Sequence, residues 1–234
     1  MSNREEIKRK KKKQQKRKDL TPIIIVGTLA VVIVIIVILT QFKPVGDITI
    51  PETQKASITN GLMMGDPNAK VQIVEFADFQ CPGCGYYWAN MEPEIKTQYI
   101  ETGKANLTYS PFSFLGDRAA DQSWNESNKS TEAVYCANDQ DKFWEYRDFL
   151  FANQNGENQG AFSQVRLLAF GKEINLDSKI FKDCLVSGKY AQGVIDANLY
   201  ATEQSVNQTP SFLVNGKLVT ADILIQTIEE ALIQ

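Results

Sequence analysis

The sequence predicts an α/β fold in which one mixed β-sheet is covered by helices and a separate helical block is inserted. Three observations favour this class. A strand–helix–strand order runs from residue 71 to residue 110, helical periodicity extends from about 116 to 206, and a hairpin followed by a helix completes the chain. The βαβ and ββα units combine into a single sheet once the helical block is set apart.

Alternation and one proline define the first unit. Val71–Phe76 alternates apolar and polar residues and is rich in β-branched side chains, which predicts a strand. A helix is expected at Tyr86–Tyr99, broken or kinked near Pro93 because proline cannot donate the helical hydrogen bond. Ala105–Ser110 is the expected second strand.

Periodicity near 3.6 residues identifies the inserted block. Its first apolar face lies between Ala133 and Leu150, and further helices are expected at Phe162–Phe170, Ser178–Val186 and Tyr190–Gln204.

The closing unit carries a strong turn signal. Asn215-Gly216 separates the apolar runs Ser211–Val214 and Lys217–Val219, which is typical of a β-hairpin. A last helix is expected at Ala221–Leu232.

Charge is distributed unevenly along the chain. The first 20 residues contain ten Lys/Arg and three acidic residues, and the rest contains 15 basic and 25 acidic residues. The two parts therefore carry +7 and −10, within a net charge of −3. Because nucleic-acid binding needs clustered positive charge, the acidic body argues against a nucleic-acid partner.

An apolar run, Ile23–Leu39, follows the basic arm. With its edges it reaches about 20 residues, the length that a helix needs to cross a bilayer core. The alternative is a cleaved secretory signal, which the length of the run and the bulky Phe42 at its exit disfavour. We expect a single-pass protein of the cell membrane, divided into a basic cytoplasmic arm at 1–19, a transmembrane helix at 20–42, a polar linker at 43–60 and an extracytoplasmic domain at 61–234.

All four cysteines follow the apolar run, and the chain has no histidine. Disulfides persist on the oxidising side of a membrane, which agrees with this topology. The lack of histidine removes His-based triads and imidazole metal ligands from consideration. No metal or other cofactor is expected.

The motif Cys81-Pro82-Gly83-Cys84 lies between the first predicted strand and the first helix. Pro82 suits the first helical position, which places Cys81 where unpaired N–H groups and the helix dipole favour a thiolate. Since disulfide exchange requires a thiolate, this context predicts a redox pair in which Cys84 resolves the mixed disulfide. Two alternatives stay open, namely half of a zinc site and a purely structural disulfide.

Three stretches resemble the DsbA-like branch of the thioredoxin superfamily. They read VQIVEFADFQCPGC at 71–84, FWEY at 143–146 and TPSFLVNG at 209–216, and the resemblance covers about residues 58–234. It implies a thioredoxin fold with an inserted helical domain at about 116–206, preceded here by one N-terminal transmembrane helix.

The resemblance also implies roles for individual residues. Cys81 is the nucleophile and Cys84 the resolving thiol, while Glu75 occupies the place of a buried acid that relays the proton of the inner thiol. Burial would raise the pKa of Glu75, although strand alternation alone allows it equally to face solvent. Pro210 matches a cis-proline that presents the backbone of Thr209 to substrate. The expected substrate contacts are completed by Pro82, Gly83 and Tyr86.

Two departures from the family pattern affect the expected activity. Strongly oxidising members have a histidine beside the second cysteine, whereas Gly83 offers no side-chain hydrogen bond, so backbone N–H groups must stabilise the thiolate. The dimerisation domain of the isomerase relatives is also missing, because residues 43–60 are too short to form it.

Cys136 and Cys184 fall on the apolar faces of two separate predicted helices. Buried free cysteines behave as small hydrophobes, so free thiols stay an alternative. Because both lie on the expected outer side, we predict a structural disulfide between them.

The expected function is oxidation of cysteine pairs in exported proteins, with reoxidation by the integral-membrane, quinone-linked partner that the resemblance implies. Two alternatives remain. The same fold could act as a membrane-anchored disulfide reductase, or as a non-catalytic binding or chaperone domain in which the disulfide is structural.

Overall fold

A computed structural model describes residues 3–41, 45–118 and 122–234, and leaves out the side chains of 15–23, 36–41, 117, 118 and 122. The chain divides into two compact units, Met1–Pro44 and Val45–Gln234. The helices are α1 Asn3–Gln41, α2 Pro82–Asn90, α3 Glu92–Ile95, α4 Glu126–Asn138, α5 Phe143–Ala152, α6 Gln164–Glu173, α7 Ser178–Ser187, α8 Ala191–Glu203 and α9 Ala221–Ile233.

The first unit is helix α1. The predicted transmembrane helix at 20–42 falls partly on residues outside the description, since its described side chains are those of residues 24–35. These are fewer than the ~20 residues that a span requires. In the described part of the chain no helix is both long and apolar enough to cross a membrane, so the transmembrane prediction is not confirmed.

A mixed sheet forms the centre of the second unit. Its described strands are β1 Thr59–Asn60, β2 Met63–Met64, β3 Val71–Ala77, β4 Ala105–Pro111, β5 Ser211–Val214 and β6 Lys217–Thr220. They lie in the order β1-β2-β4-β3-β5-β6, with β3 and β4 parallel and the other pairs antiparallel. The helices α4 to α8 lie between β4 and β5 in the chain, as the predicted α/β fold with a helical insertion requires.

The break expected near Pro93 lies at Met91, between α2 and α3. Pro93 therefore falls in the first turn of α3, where its missing N–H costs no hydrogen bond. A π-helical turn at Lys96–Ile100 continues α3, and two 3₁₀ turns, Phe114–Arg118 and Gln122–Trp124, precede α4.

The β1–β2 hairpin is an addition that the sequence analysis missed. Each strand has two residues, which is too short to show alternation. Gly65, just after β2, has a φ of +98°, and a Cβ there would lie 2.9 Å from the carbonyl oxygen of Ala105. A glycine is thus needed to bring this hairpin onto β4.

Residues 45–58, which belong to the predicted polar linker at 43–60, are bound along the helical insertion. The N–H of Thr49 donates to Oδ1 of Asn153 at 2.9 Å, and the N–H of Gln54 donates to Oδ2 of Asp148 at 2.6 Å. Ala56 is buried in the main core. These hydrogen bonds hold the backbone of the segment against the helical insertion.

Apolar side chains pack on both faces of β3. Val71, Ile73 and Ala77 belong to the main core with α2 and α5, and Phe76 belongs to a smaller core beneath α8. Alternation along the strand places Glu75 on the face of Ile73, so the carboxyl group points into the main core.

Candidate active site

The active-site loop connects β3 to α2. Cys81 is the residue before the first helical turn, with extended backbone angles, and Pro82 occupies the start of α2. The carbonyl of Cys81 accepts hydrogen bonds from the N–H groups of Cys84 at 3.1 Å and Gly85 at 3.2 Å. This geometry leaves the earliest N–H groups of α2 directed at the sulfur of Cys81.

The two thiols of the loop titrate in opposite directions. The pKa of Cys81 is lowered to about 6, first by a hydrogen bond from the Cys84 thiol and then by Thr209 and the N–H groups of Cys84 and Gly83, against the effect of burial. Burial raises the pKa of Cys84 well above its ordinary value, and the hydrogen bond to Cys81 adds to this. Both are free thiols. The loop therefore holds an outer thiolate and an inner, protonated thiol.

The loop before β5 faces this thiolate. The Thr209–Pro210 peptide bond, which the resemblance implies to be cis, is cis. The sulfur of Cys81 lies 3.4 Å from the carbonyl oxygen of Thr209, and a Cβ at Gly83 would lie 3.4 Å from Cδ of Pro210. A Cβ at position 83 would thus meet the proline loop at ordinary van der Waals distance.

Glu75 lies in a buried charged cluster. Its side chain is fully buried, Nη1 of Arg147 is 3.9 Å from Oε2, and neither carboxylate oxygen accepts a hydrogen bond from the described residues. Arg147 donates instead to Glu92, through both Nη atoms, and to Asp148 at 3.0 Å. Burial and then the charge of Glu92 raise the pKa of Glu75 well above its usual range. Its predicted burial is thus found, and its role as a proton relay stays a prediction.

Asp78 is a second buried acid, which the sequence analysis did not single out. Oδ1 accepts hydrogen bonds from the N–H of Gln80 and the hydroxyl of Ser127, both at 2.8 Å, and Oδ2 accepts from the N–H of Leu115 at 3.0 Å. Burial raises its pKa to about 7. The available signal was an acidic residue three positions before Cys81, immediately after a buried strand.

Gln154 connects the helical insertion to the active-site loop. Its side-chain amide donates to the carbonyl oxygens of Phe79 at 2.6 Å and Cys81 at 3.1 Å. A Cβ at Gly85 would overlap with Oε1 of Gln154, so the glycine after the second cysteine leaves room for this contact. Nothing in the local sequence indicates the pairing, because the two residues are far apart in the chain.

The surface beside the thiolate is formed by the start of α2. Pro82 is exposed, Gly83 is exposed, and Tyr86 is 65% exposed. These residues are exposed and close to Cys81 in the chain, and their contact with substrate stays a prediction.

The second pair of cysteines lies away from the loop, in the helical insertion. Cys136 in α4 and Cys184 in α7 form a disulfide with a Cα–Cα distance of 5.9 Å. Among the described residues there is no cluster of three or more His, Cys, Asp or Glu side chains suited to a metal ion.

Fold and site together define a class of protein. A dithiol at a helix N-terminus, with its outer sulfur against a cis-proline loop on a mixed sheet, is the arrangement of a thioredoxin-fold thiol–disulfide oxidoreductase.

Comparisons with known proteins identify the family. The sequence matches the family described as Thioredoxin over residues 57–233. It is 31% identical over 161 residues to a probable disulfide bond formation protein D of Bacillus cereus, covering 68% of this chain and 72% of the relative. The fold resembles oxidised BdbD from Bacillus subtilis (TM-score 0.67, 23% identity, 78% of this chain and 98% of that chain) and DsbA from Chlamydia trachomatis (TM-score 0.62, 20% identity, 77% and 96%).

The chain belongs to the thioredoxin family, in its DsbA-like branch, and is a protein thiol–disulfide oxidoreductase. The predicted family, the enzyme class and the α/β fold with its helical insertion are confirmed.

Proposed function

We propose that this oxidoreductase introduces disulfides into exported proteins, with Cys81–Cys84 as the oxidising bridge. The observation that carries the proposal is the position of Cys81 at the N-terminus of α2, where its pKa is lowered to about 6. At pH 7 about 90% of such a thiol is ionised. A stabilised thiolate favours the reduced form of the enzyme, and a stable reduced form makes the oxidised form an oxidant.

The exchange begins at the outer sulfur. A substrate thiolate attacks the sulfur of Cys81, the Cys81–Cys84 bond breaks, and Cys84 leaves to become a buried thiol. The second substrate thiolate then attacks the substrate sulfur in the mixed disulfide, which releases Cys81 as a thiolate and completes the substrate disulfide. The Thr209 carbonyl, 3.4 Å from the Cys81 sulfur, lies where a substrate backbone would approach.

Two residues of the loop support oxidation without the histidine of strongly oxidising relatives. The N–H groups of Gly83 and Cys84 both lower the pKa of Cys81, so the backbone supplies part of the stabilisation. The runner-up is a reductase that uses the same atoms in reverse, fed by a membrane electron donor. In a reductase the Cys81 thiolate would need less stabilisation than in an oxidant, because the reduced form must give up its electrons readily.

We place the catalytic domain outside the cell membrane, held by the N-terminal segment. The basic arm, the apolar run at 23–39 and the Cys136–Cys184 disulfide support this location, because disulfides persist in oxidising compartments. Reoxidation of the Cys81–Cys84 pair then requires an acceptor, for which we propose an integral-membrane, quinone-linked protein.

The redox equilibrium of the full-length protein with a glutathione series tests the direction. A reduction potential of about −120 mV is expected for an oxidant, and one of about −270 mV would instead support the reductase. A Cys81–Cys84 bridge that stays closed below about −300 mV would contradict catalysis and favour a structural disulfide.

Labelling in intact cells tests the location. A thiol reagent that cannot cross membranes should modify Cys81 when it is added to unbroken, mildly reduced cells. The label should then be recovered in the membrane fraction of those cells. Modification that occurs only after lysis would contradict the outward placement.

A further inference from the structure

Asp78 is held in place by three different parts of the second unit. Its donors are the N–H of Gln80 in the active-site loop, the N–H of Leu115 after β4, and the hydroxyl of Ser127 in α4. Its own carbonyl accepts the N–H of Cys81 at 3.0 Å. With only 1% of its surface exposed, the carboxyl group is a fixed part of the site.

Thiols, and no cation of the described residues, interact with the carboxyl group of Asp78. Among the described residues no lysine or arginine forms an ion pair with it. The titratable groups that interact with it are Cys81 in the loop, Cys84 at the start of α2, whose pKa is lowered by a hydrogen bond from the Asp78 N–H, and Tyr109 in β4. The helix α4 contributes the neutral Ser127.

Two negative charges in this space disfavour each other. A buried carboxylate without a cation is costly, and a thiolate at Cys81 adds like-charge repulsion. Burial raises the pKa of Asp78 to about 7, against the hydrogen bonds that lower it. The charge of Cys81 makes a smaller contribution in the same direction as burial. When Cys81 is part of a disulfide its sulfur carries no charge, and one source of the repulsion is gone.

We propose that Asp78 accepts one of the two protons that a substrate dithiol loses during its oxidation, and releases it when the Cys81–Cys84 disulfide re-forms. The substrate loses two electrons and two protons as its disulfide forms. The electrons break the Cys81–Cys84 bond, one proton goes to Cys84 as its thiol, and the other goes to Asp78 as its carboxylic acid, while Cys81 remains a thiolate. A single negative charge thus moves from Asp78 to Cys81, and atoms, electrons and charge balance without exchange with solvent.

This role rests on Cys81 as the nucleophile of the proposed function, but not on the direction of exchange, since a reductase would run the same steps backwards. In this role Asp78 stores a proton and does not orient another group. Glu75 differs from it, because the influences on its pKa are burial and the charges of Glu92, Arg147 and Asp148, none of them a cysteine.

The test is a reduced-minus-oxidised infrared difference spectrum of the full chain, which reports carboxyl groups that gain a proton on reduction. We expect a carboxylic acid band in the wild-type protein, its loss in Asp78→Asn and its retention in Glu75→Gln and in the exposed control Glu203→Gln. Loss of the band in Glu75→Gln with retention in Asp78→Asn would overturn the proposal in favour of Glu75.

The amide introduced by Asp78→Asn would oppose the N–H of Leu115, which disfavours folding. A second variant keeps the test valid in that case. Ser127→Ala keeps the carboxyl and removes one hydrogen bond that lowers its pKa. The band should therefore be largest below about pH 7 in the wild type, between the pKa of Asp78 in the oxidised and in the reduced protein, and at a higher pH in Ser127→Ala. An unchanged pH dependence overturns the proposal. A wild-type protein that exchanges with glutathione but lacks the band overturns it too, whereas a pair that does not exchange contradicts the proposed function itself.

Discussion

The two cysteine pairs of this chain lie in the same unit but differ in separation, helix position and state. Cys136 and Cys184 are 48 positions apart in the chain, with 47 residues between them, lie in the last turns of α4 and α7, and form a disulfide. Cys81 and Cys84 are separated by two residues at the start of α2 and are free thiols. Both pairs are largely buried, so burial alone does not decide which pair reacts.

The position of each sulfur relative to its helix accounts for the difference. The N–H groups of Gly83 and Cys84, in the first turn of α2, both interact with the sulfur of Cys81. Within α4 and α7 the N–H groups beyond the first turn donate to carbonyls of the preceding turn, so they offer nothing to a thiolate. The reactivity of each cysteine therefore depends on which backbone N–H groups can donate a hydrogen bond to its sulfur.

The largest difference is expected when one cysteine is removed from each pair in turn. Cys81→Ser should abolish thiol–disulfide exchange, because the thiol left in the loop, Cys84, is fully buried and its pKa is raised well above the ordinary value. Cys136→Ser should keep exchange within about twofold of the wild type, since the bridge does not contact the active-site loop. Reduction of a disulfide-containing peptide by the reduced enzyme measures both.

Cys84→Ala provides the matched trapping variant. It should accumulate a mixed disulfide between Cys81 and the peptide, which mass spectrometry detects, because the resolving thiol is missing. A mixed disulfide on any other cysteine would contradict the assignment of Cys81.

The pH dependence of alkylation sharpens the same comparison. The rate for Cys81 should reach half its maximum near pH 6, whereas an ordinary thiol does so near about 8.5. Because the pKa is lower in the folded than in the unfolded protein, this group stabilises the reduced protein fully above the unfolded pKa, and the contribution is lost as pH falls towards 6. Urea unfolding of reduced wild type and Cys81→Ser should therefore diverge as pH rises from 6 to 8. Parallel pH profiles would show that Cys81 titrates normally.

Local patterns were sufficient for much of the fold. The strand before Cys81, the Asn215-Gly216 hairpin and the break near Pro93 were predicted because each depends on neighbouring residues. The thiolate position could be predicted for the same reason, since Pro82 and the start of a helix are part of one short motif.

Features that depend on distant residues were missed. The donors to Asp78 include Ser127 and Leu115, which no spacing in the sequence connects to it. Arg147 lies in an apolar helix, and only the fold brings it to Glu75. The segment 45–58 has the composition of a linker, and only the fold shows that its backbone N–H groups bind side chains of the helical insertion.

Removal of the second bridge should affect stability and not chemistry. The variant Cys136→Ser/Cys184→Ser should lose about 2–4 kcal/mol of unfolding free energy, because the unfolded chain regains the freedom that the bridge removes. Urea unfolding under oxidising conditions measures the loss, and Cys184→Ser alone should match the double variant. A loss of exchange activity in the folded variant would show that the two pairs are coupled.

The smallest effect concerns Gly85 and Gln154, which join the reactive loop to the insertion that holds the bridge. In Gly85→Ala the new methyl group should displace the Gln154 amide from the carbonyls of Phe79 and Cys81, at a cost of about 1–3 kcal/mol for two hydrogen bonds. Gln154→Ala should cost a similar amount. In the double variant the overlap no longer exists, and alanine favours the helix by up to about 1 kcal/mol over glycine. The double variant should therefore be at least as stable as Gln154→Ala in urea unfolding, and additive losses would mean that the two side chains act independently.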